Sequence, residues 1–276
     1  MNDQNLKGIG KLSRQRLSEV IRNCKGPFKA FDVSDCLQIS KERARVMLSS
    51  WAKQGWLKRI RPGMYLPVEL ASESPEDILI DPWVIASQLY SPCYIGGWSA
   101  CEYWGLTEQI FDKTLVLTSK RINGQEQKAG NFVFFIKKVS QSKIFGLKTI
   151  WKESIKVPIS DPHKTIIDIL DNPSFAGGIR FASDILKEYL QSEHFNASLL
   201  LEYAFKMNNK TIFKRLGFLL SFFKIDQPDL IEACFKNISQ GNTQIDPSLQ
   251  GSRLIKKWGL WLPDHFETLF PSNYTS

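Results

Sequence analysis

The chain has 276 residues, of which 43% are hydrophobic and 23% charged; this composition is typical of a globular protein with one large or two ordinary domains and excludes an intrinsically disordered chain. Its net charge of +8 lies entirely in residues 1–70, which contain fourteen Lys and Arg against six Asp and Glu, whereas residues 71–276 contain twenty-two of each. A basic surplus confined to one part of a chain is typical of a domain that binds a polyanion, and we expect nucleic acid.

Two helices are predicted before residue 38. The first is indicated by apolar residues at the spacing of one helical face, namely Leu17, Val20, Ile21 and Cys24. Gly26 and Pro27 are expected to end it. A short second helix is expected to have Asp32 as its N-cap. Its inward-facing residues would be Val33, Cys36 and Leu37.

A third helix is predicted at residues 41–53, with Ser40 as its N-cap and Gly55 just after its end. Its buried face is indicated by apolar residues at helical spacing, namely Ala44, Met47, Leu48 and Trp51. The opposite face places Arg43 and Arg45 near the helix start, where arginine can read guanine bidentately in the major groove. Val46 on the same face would contact a thymine methyl group. The sequence therefore predicts a DNA-recognition helix.

A basic hairpin is predicted after this helix. Residues 56–60 and 64–67 are strand-like, and Pro62-Gly63 matches the two central positions of a type II turn. Three helices followed by a basic hairpin are the order of a winged helix-turn-helix, whose wing lies along DNA phosphates. The expected DNA-binding residues are Ser40, Lys41, Arg43, Arg45, Ser49, Ser50, Lys53, Lys58, Arg59 and Arg61.

The predicted fold class is α+β, with a winged helix-turn-helix domain at residues 1–71, a polar linker at 72–75 and a larger domain at 76–276. The middle third is expected to be mixed, with helices at 83–90 and 99–104 and strands at 93–95, 114–118, 132–136 and 144–151. Ser99 and Asp161 are expected to be N-caps. Later helices are expected at 162–170, 179–190, 198–207, 211–223 and 229–237, and a strand within 258–263.

Several segments of the chain, in order, resemble the AbiEi-type antitoxins of bacterial abortive-infection toxin–antitoxin operons. They are residues 94–107 (YIGGWSACEYWGLT), 161–168 (DPHKTIID), the glycine pair 177–178 and residues 214–220 (KRLGFLL), preceded by the basic RPGMY segment at 61–65. The resemblance implies an N-terminal winged helix that represses its own operon by binding inverted repeats in double-stranded DNA. It also implies a C-terminal antitoxin domain and a co-encoded nucleotidyltransferase-like toxin as functional partner; direct contact between the two proteins is left open.

Catalytic and metal sites are not predicted. The three histidines are far apart in sequence, and none has a His or Cys at metal-ligand spacing. Asp161, His163 and Asp168 are close in sequence, but a helix cap, a first-turn residue and an exposed or helix-pairing carboxylate explain them better than acid–base catalysis. We therefore expect no enzyme activity and no cofactor.

The five cysteines form no CxxC pair, which favours reduced thiols in a cytoplasmic protein over a disulfide framework. No apolar stretch reaches the roughly 18–20 residues of a membrane span. The first twenty residues are charged throughout and are not expected to be a signal peptide. We expect a cytoplasmic protein without membrane contacts.

A second group of basic residues lies after the linker. It comprises Lys137, Lys138, Lys143, Lys148, Lys152, Lys156, Lys206, Lys210, Lys214 and Arg215. Such a group is either an ordinary solvated face or a surface for DNA, for an acidic partner or for an RNA-bearing partner. The expected function is that of a DNA-binding autorepressor and antitoxin. Two alternatives remain: a ligand-responsive winged-helix transcription factor with a small-molecule-sensing second domain, and an enzyme fused to a winged helix.

Overall fold

The structure is a computed structural model that describes residues 10–24, 26–68, 80–152 and 155–270. These residues form both helices and sheets, which confirms the mixed α+β class. The chain divides into two compact units, the first made of Met1–Cys93, Asp112–Lys137 and Thr149–Pro158, the second of the remainder. The first unit therefore continues past residue 76, where the second domain was expected to begin. The expected linker at residues 72–75 lies outside the described residues.

The first unit begins with three helices and a small sheet. Their bounds are α1 (Lys11–Asn23), β1 (Phe28–Lys29), α2 (Ala30–Leu37), α3 (Lys41–Lys53), β2 (Leu57–Arg61) and β3 (Met64–Pro67). The sheet is antiparallel, with strand order β1-β3-β2. One apolar cluster holds these elements together. Its member Trp51 is 1% exposed and donates its indole N–H to Ser13 Oγ at 2.7 Å.

The local predictions for α3 are confirmed, and those for α1 and α2 are partly wrong. α3 has the predicted bounds, because Ser40 Oγ accepts the backbone N–H of Arg43 at 3.2 Å. Asp32 is not the N-cap of α2; it is the third residue of the helix, and its Oδ2 accepts the backbone N–H of Lys29 at 2.7 Å. Ile21 is 40% exposed, so it lies at the edge of the buried face of α1.

A six-stranded sheet has the order β6-β7-β5-β4-β9-β8. Its elements, with the helix before it, are α4 (Pro82–Tyr90), β4 (Cys93–Ile95), β5 (Lys113–Thr118), β6 (Glu126–Ala129), β7 (Phe132–Lys138), β8 (Leu147–Lys152) and β9 (Ile155–Ser160). The predicted strand at 144–151 begins too early, because Gln141–Lys143 form a 3-10 turn and β8 begins only at Leu147. β6 and β9 were not predicted.

The second unit contains most of the remaining helices and a three-stranded sheet with order β10-β12-β11. The elements are α5 (Gly97–Tyr103), α6 (Pro162–Asp171), α7 (Ile179–Gln191), α8 (Ala197–Lys206), α9 (Thr211–Phe222), α10 (Pro228–Lys236), β10 (Thr243–Gln244), β11 (Arg253–Ile255) and β12 (Leu260–Leu262). Asp161 caps α6 as predicted, accepting the N–H of Lys164 at 2.8 Å. Ser99 is not a cap, because α5 begins at Gly97. Within the described ranges, no helix is long and apolar enough to cross a membrane.

Candidate nucleic-acid interface

The outward face of α3 is polar and cationic. Ala44, Leu48 and Trp51 are buried at 0–1% exposure, which fixes the rotation of the helix against the apolar cluster. The opposite side is exposed and consists of Lys41, Glu42, Arg43, Arg45, Val46, Ser49, Ser50 and Lys53. Val46 is 70% exposed, so its two methyl groups are free of the core. The side chains predicted to contact DNA from this helix therefore lie together on one accessible face.

The start of α3 is held by a rigid turn. Gln38 adopts the left-handed conformation at φ 50°, and the N–H of Ile39 donates to Ser34 O at 3.1 Å. Ser34 Oγ in turn donates to Ile39 O at 2.6 Å. These bonds fix α3 against α2, so the basic side chains at its N-terminal end are presented at a defined angle.

The β2–β3 hairpin follows the predicted turn. Gly63 has φ +77°, the positive value that the third position of a type II turn requires. Arg59 pairs with Tyr65, and the register then shifts before Arg61 pairs with Met64. Arg59 is exposed and Lys58 is half-buried, so these two of the three predicted hairpin cations reach the surface.

A cleft of 530 Å³ lies between the start of α2, α3 and the hairpin. Its lining includes four cationic side chains, Lys29, Lys41, Arg45 and Arg59, and no acidic residue. Phe31 also lines the cleft and is 62% exposed. The Lys41 ammonium lies 5.2 Å from the centroid of the Phe31 ring. Lys29 and Phe31 were missed by the sequence analysis, although a basic–aromatic pair in a basic domain is a usable signal.

The positive charges around this cleft have no ion-pair partner among the residues that the structure describes. Among the described residues, the ion pairs involve none of the basic side chains of α3 or of Lys29, Lys58 and Arg59. Glu42 is the acidic residue on α3 and is itself exposed. The surface therefore carries a net positive field that suits a polyanion.

Arg61 differs from the other predicted DNA-binding residues. Its guanidinium carbon lies 4.8 Å from the centroid of the Tyr90 ring, and Nη2 donates to the Tyr90 hydroxyl at 2.9 Å. Nη2 also lies 3.5 Å from Gln127 Oε1. Burial raises the pKa of Tyr90, while the guanidinium acts in the opposite direction. The structure thus places Arg61 as a link from the hairpin to α4 and β6, within the first unit.

The lysines at 137–156 are divided between the two units. In the first unit, Lys152 pairs with Asp81 at 3.0 Å and Lys156 lies 5.2 Å from the ring of the exposed Trp151. Lys137, also in this unit, lies 4.9 Å from the Phe135 ring. In the second unit, Lys143 pairs with Asp171 at 2.6 Å and Lys148 lies over Trp104. Lys138, Lys148 and Lys156 are exposed.

The predicted basic surface at 206–215 is half wrong. Lys206 and Lys210 are exposed, and Lys206 lies 4.6 Å from the Phe145 ring. Lys214 and Arg215 are only 1% and 2% exposed, so neither belongs to a surface. The Lys214 ammonium donates to Gly241 O. The Arg215 guanidinium donates at 2.8–3.1 Å to four backbone carbonyls, those of Leu170, Asp171, Gln244 and Ile245.

The 161–168 segment forms a buried network with Tyr94. Lys164 and Asp168 form an ion pair at 0–1% exposure, the Tyr94 hydroxyl donates to Asp168 Oδ2 at 2.9 Å, and Lys164 Nζ donates to that hydroxyl at 3.1 Å. Asp168 is therefore helix-pairing and not exposed. Every member is bonded to another member, which is the arrangement of a structural network. In the described part of the chain, no three His, Cys, Asp or Glu side chains are grouped to hold a metal ion.

No family model and no curated protein matches the chain. Among solved structures, the crystal structure of the RV2827C protein from Mycobacterium tuberculosis is similar, with a TM-score of 0.66 and 12% sequence identity. The likeness covers 97% of this chain and 96% of that chain. At this identity it shows a shared fold over nearly the whole length, and it carries no functional conclusion.

Proposed function

We propose that the protein binds double-stranded DNA through α3 and the β2–β3 hairpin, acting as a winged helix-turn-helix repressor. The observation that carries this proposal is the cationic cleft between α3 and the hairpin, whose four basic residues have no acidic neighbour in its lining. A polyanion that enters this cleft gains charge-assisted hydrogen bonds without displacing any ion pair within the described residues.

The contacts divide by position. The outward face of α3 enters the major groove, where Arg43 and Arg45 read base edges and Val46 contacts a thymine methyl group. Lys41, Lys29 and the hairpin cations Lys58 and Arg59 contact phosphates on either side of the groove. Phosphate contacts supply affinity and the base contacts supply sequence discrimination.

For the rest of the chain we propose the antitoxin role that the resemblance to AbiEi-type proteins implies. Four charged residues of the segments that resemble this family are buried and hydrogen-bonded inside the protein: Lys164, Asp168, Lys214 and Arg215. We therefore assign them to the stability of the domain and not to a surface that contacts a partner. Contact with a co-encoded toxin or with its RNA substrate would then use exposed lysines of the second unit, such as Lys206 and Lys210. Co-expression of that toxin with the full chain tests this role: rescue of growth is expected, and loss of rescue in Lys206→Glu/Lys210→Glu would locate the surface.

A ligand-responsive regulator is a second candidate. The observation that favours it is a cleft of 410 Å³ in the second unit, lined by Leu106, Phe181 and Ile185 together with Glu108 and Glu188. A regulator of this kind would release DNA when a small molecule fills the cleft, and Phe181→Ala would reduce that response.

The DNA-binding proposal is tested by a mobility shift of the full chain with a duplex from upstream of its own gene. We expect a retarded complex that persists with excess unrelated duplex and weakens steeply with salt. Equal affinity for unrelated duplex would contradict sequence recognition, and absence of any complex at low salt would contradict DNA binding altogether.

A further inference from the structure

We propose that Phe31 packs its ring against a deoxyribose of the DNA strand that crosses the cationic cleft. Phe31 lies in the first turn of α2 and is 62% exposed. Single exposed apolar side chains are common on protein surfaces, so exposure alone carries no conclusion. The position of Phe31 does, because its ring lines the same cleft as the basic side chains that are assigned to phosphates. This inference rests on the proposed DNA binding and deepens it.

Cations flank the Phe31 ring within the cleft. Lys29 precedes it by two residues, and the Lys41 ammonium lies 5.2 Å from the ring centroid. Arg59 lines the same cleft from the hairpin. In a DNA strand, successive phosphates are separated by a sugar, whose carbon atoms are the apolar part of the backbone. A strand whose phosphates bind these cations therefore brings a sugar against the ring.

The electrostatic environment changes at Phe31. A second cleft, of 610 Å³, shares Lys29 and Phe31 with the first but is also lined by Asp32 and Asp35. Asp35 is exposed. Carboxylates repel phosphates, so the strand is favoured on the side of the cationic cleft. The ring of Phe31, which lines both clefts, therefore lies at the edge of the bound strand.

A sugar fits this position better than a base. The side chains assigned to base edges, such as Arg43 and Val46, belong to the outward face of α3, whereas Phe31 belongs to α2. Every nucleotide of a duplex presents the same deoxyribose, so the contact adds affinity without sequence discrimination. The contact neutralises no phosphate and releases no counterion, so its contribution does not depend on salt. These two properties distinguish Phe31 from the cations around it.

The test compares Phe31→Ala with the wild-type full chain by fluorescence anisotropy, using the upstream duplex and a scrambled duplex across a salt series. We expect Phe31→Ala to weaken binding to both duplexes by about tenfold, because burial of a phenyl ring contributes at least the free energy of a tenfold change in affinity. The dependence of the binding constant on salt should keep its wild-type slope. Phe31→Leu, which keeps an apolar side chain, should lose less affinity than Phe31→Ala.

Two variants serve as controls. Phe205→Ala removes a phenylalanine of α8 in the second unit that is 54% exposed, and it should leave the affinity for both duplexes unchanged. Lys41→Ala removes the cation beside the Phe31 ring and should make the salt dependence shallower by about 1. A similarly shallower slope in Phe31→Ala would show that the ring acts only by holding Lys41, and would overturn the inference.

Two other results would also overturn it. Wild-type affinity of Phe31→Ala for both duplexes would remove the ring from the interface, and a loss confined to the upstream duplex would indicate a base contact instead of a sugar contact. If Phe31→Ala fails to fold, wild-type affinity or a sequence-selective loss in Phe31→Leu has the same meaning. Absence of binding by the wild-type chain contradicts the proposed DNA binding itself, whereas the results above overturn this inference alone.

Discussion

The guanidinium of Arg61 is stacked on the ring of Tyr90 at 4.8 Å and donates to the hydroxyl of the same residue at 2.9 Å. Arg59, two residues earlier on the same strand, is exposed and lines the cationic cleft. Two arginines of one strand therefore have different roles: Arg61 stabilises the attachment of the hairpin within the first unit, and Arg59 is available to a ligand.

This difference predicts that two alanine substitutions change the free energy of unfolding by different amounts. Arg61→Ala should lower the free energy of unfolding by about 1–3 kcal/mol, since it removes a cation–π contact and a hydrogen bond. Arg59→Ala should change it by less than about 0.5 kcal/mol, because the Arg59 side chain is exposed and has no ion pair within the described part of the chain. Urea denaturation measures both. Tyr90→Phe, which keeps the ring and removes the hydroxyl, should fall between them; equal stability of the two alanine variants would contradict the assignment.

The hairpin cations predict a change in salt dependence. In a plot of the logarithm of the binding constant against the logarithm of the salt concentration, each neutralised phosphate contributes about 0.9 to the downward slope. Lys58→Ala and Arg59→Ala should each remove one phosphate contact and therefore make this slope shallower by about 1. Both should weaken specific and unrelated DNA alike, because phosphates carry no base information. Fluorescence anisotropy across a salt series is the measurement. An unchanged slope in both variants would remove the hairpin from the interface.

The buried position of Arg215 predicts that its substitution affects stability. Arg215→Lys should lower the free energy of unfolding by about 2–4 kcal/mol, because one ammonium cannot satisfy four carbonyls that a planar guanidinium bonds together. Lys206→Ala, on the exposed side of α8, should lower the free energy of unfolding by no more than about 1 kcal/mol, because it removes only an exposed cation–π contact with Phe145. Thermal and chemical denaturation compare them. If Arg215→Lys were as stable as wild type, the four-carbonyl arrangement would be wrong.

The buried Lys164–Asp168 ion pair predicts that substitutions at these two residues have strongly non-additive effects on the free energy of unfolding. Lys164→Ala leaves the buried Asp168 carboxylate without its cation and should cost about 3–5 kcal/mol. Replacing both residues by apolar ones, as in Lys164→Met/Asp168→Leu, should cost less than the sum of the two single changes. A double-mutant cycle by urea denaturation gives the coupling energy, and strictly additive effects would show that the two side chains do not interact.

The α3 helix and the hairpin were predictable because their signals are local. Ser40 caps the helix at the expected residue, the apolar spacing fixes the face that carries Arg43, and Pro62-Gly63 forms the expected turn. The chain needs no distant contact to specify these elements, so a single sequence carries enough information to place them.

The failures depend on contacts between residues far apart in sequence. From the sequence, Arg215 was predicted to be a surface residue, because the carbonyls of Leu170 and Ile245 that bind its guanidinium are far from it along the chain. Arg61 was likewise predicted to contact DNA from the hairpin, because nothing near it in sequence indicates that its guanidinium stacks on the ring of Tyr90. β6 lacks an apolar run and β9 contains Pro158, so neither shows an ordinary strand pattern.

The most direct test of the account is the ratio of specific to unrelated DNA affinity for Arg43→Ala and Arg45→Ala, measured by anisotropy with the upstream duplex and a scrambled duplex. Arg253→Ala, an exposed arginine of the second unit paired with Glu267, is the charge-matched control. We expect at least one of the two α3 variants to lower the ratio by an amount worth about 1–3 kcal/mol, with the control unchanged. A ratio that stays at the wild-type value in both α3 variants would contradict the assignment of α3 as the recognition helix.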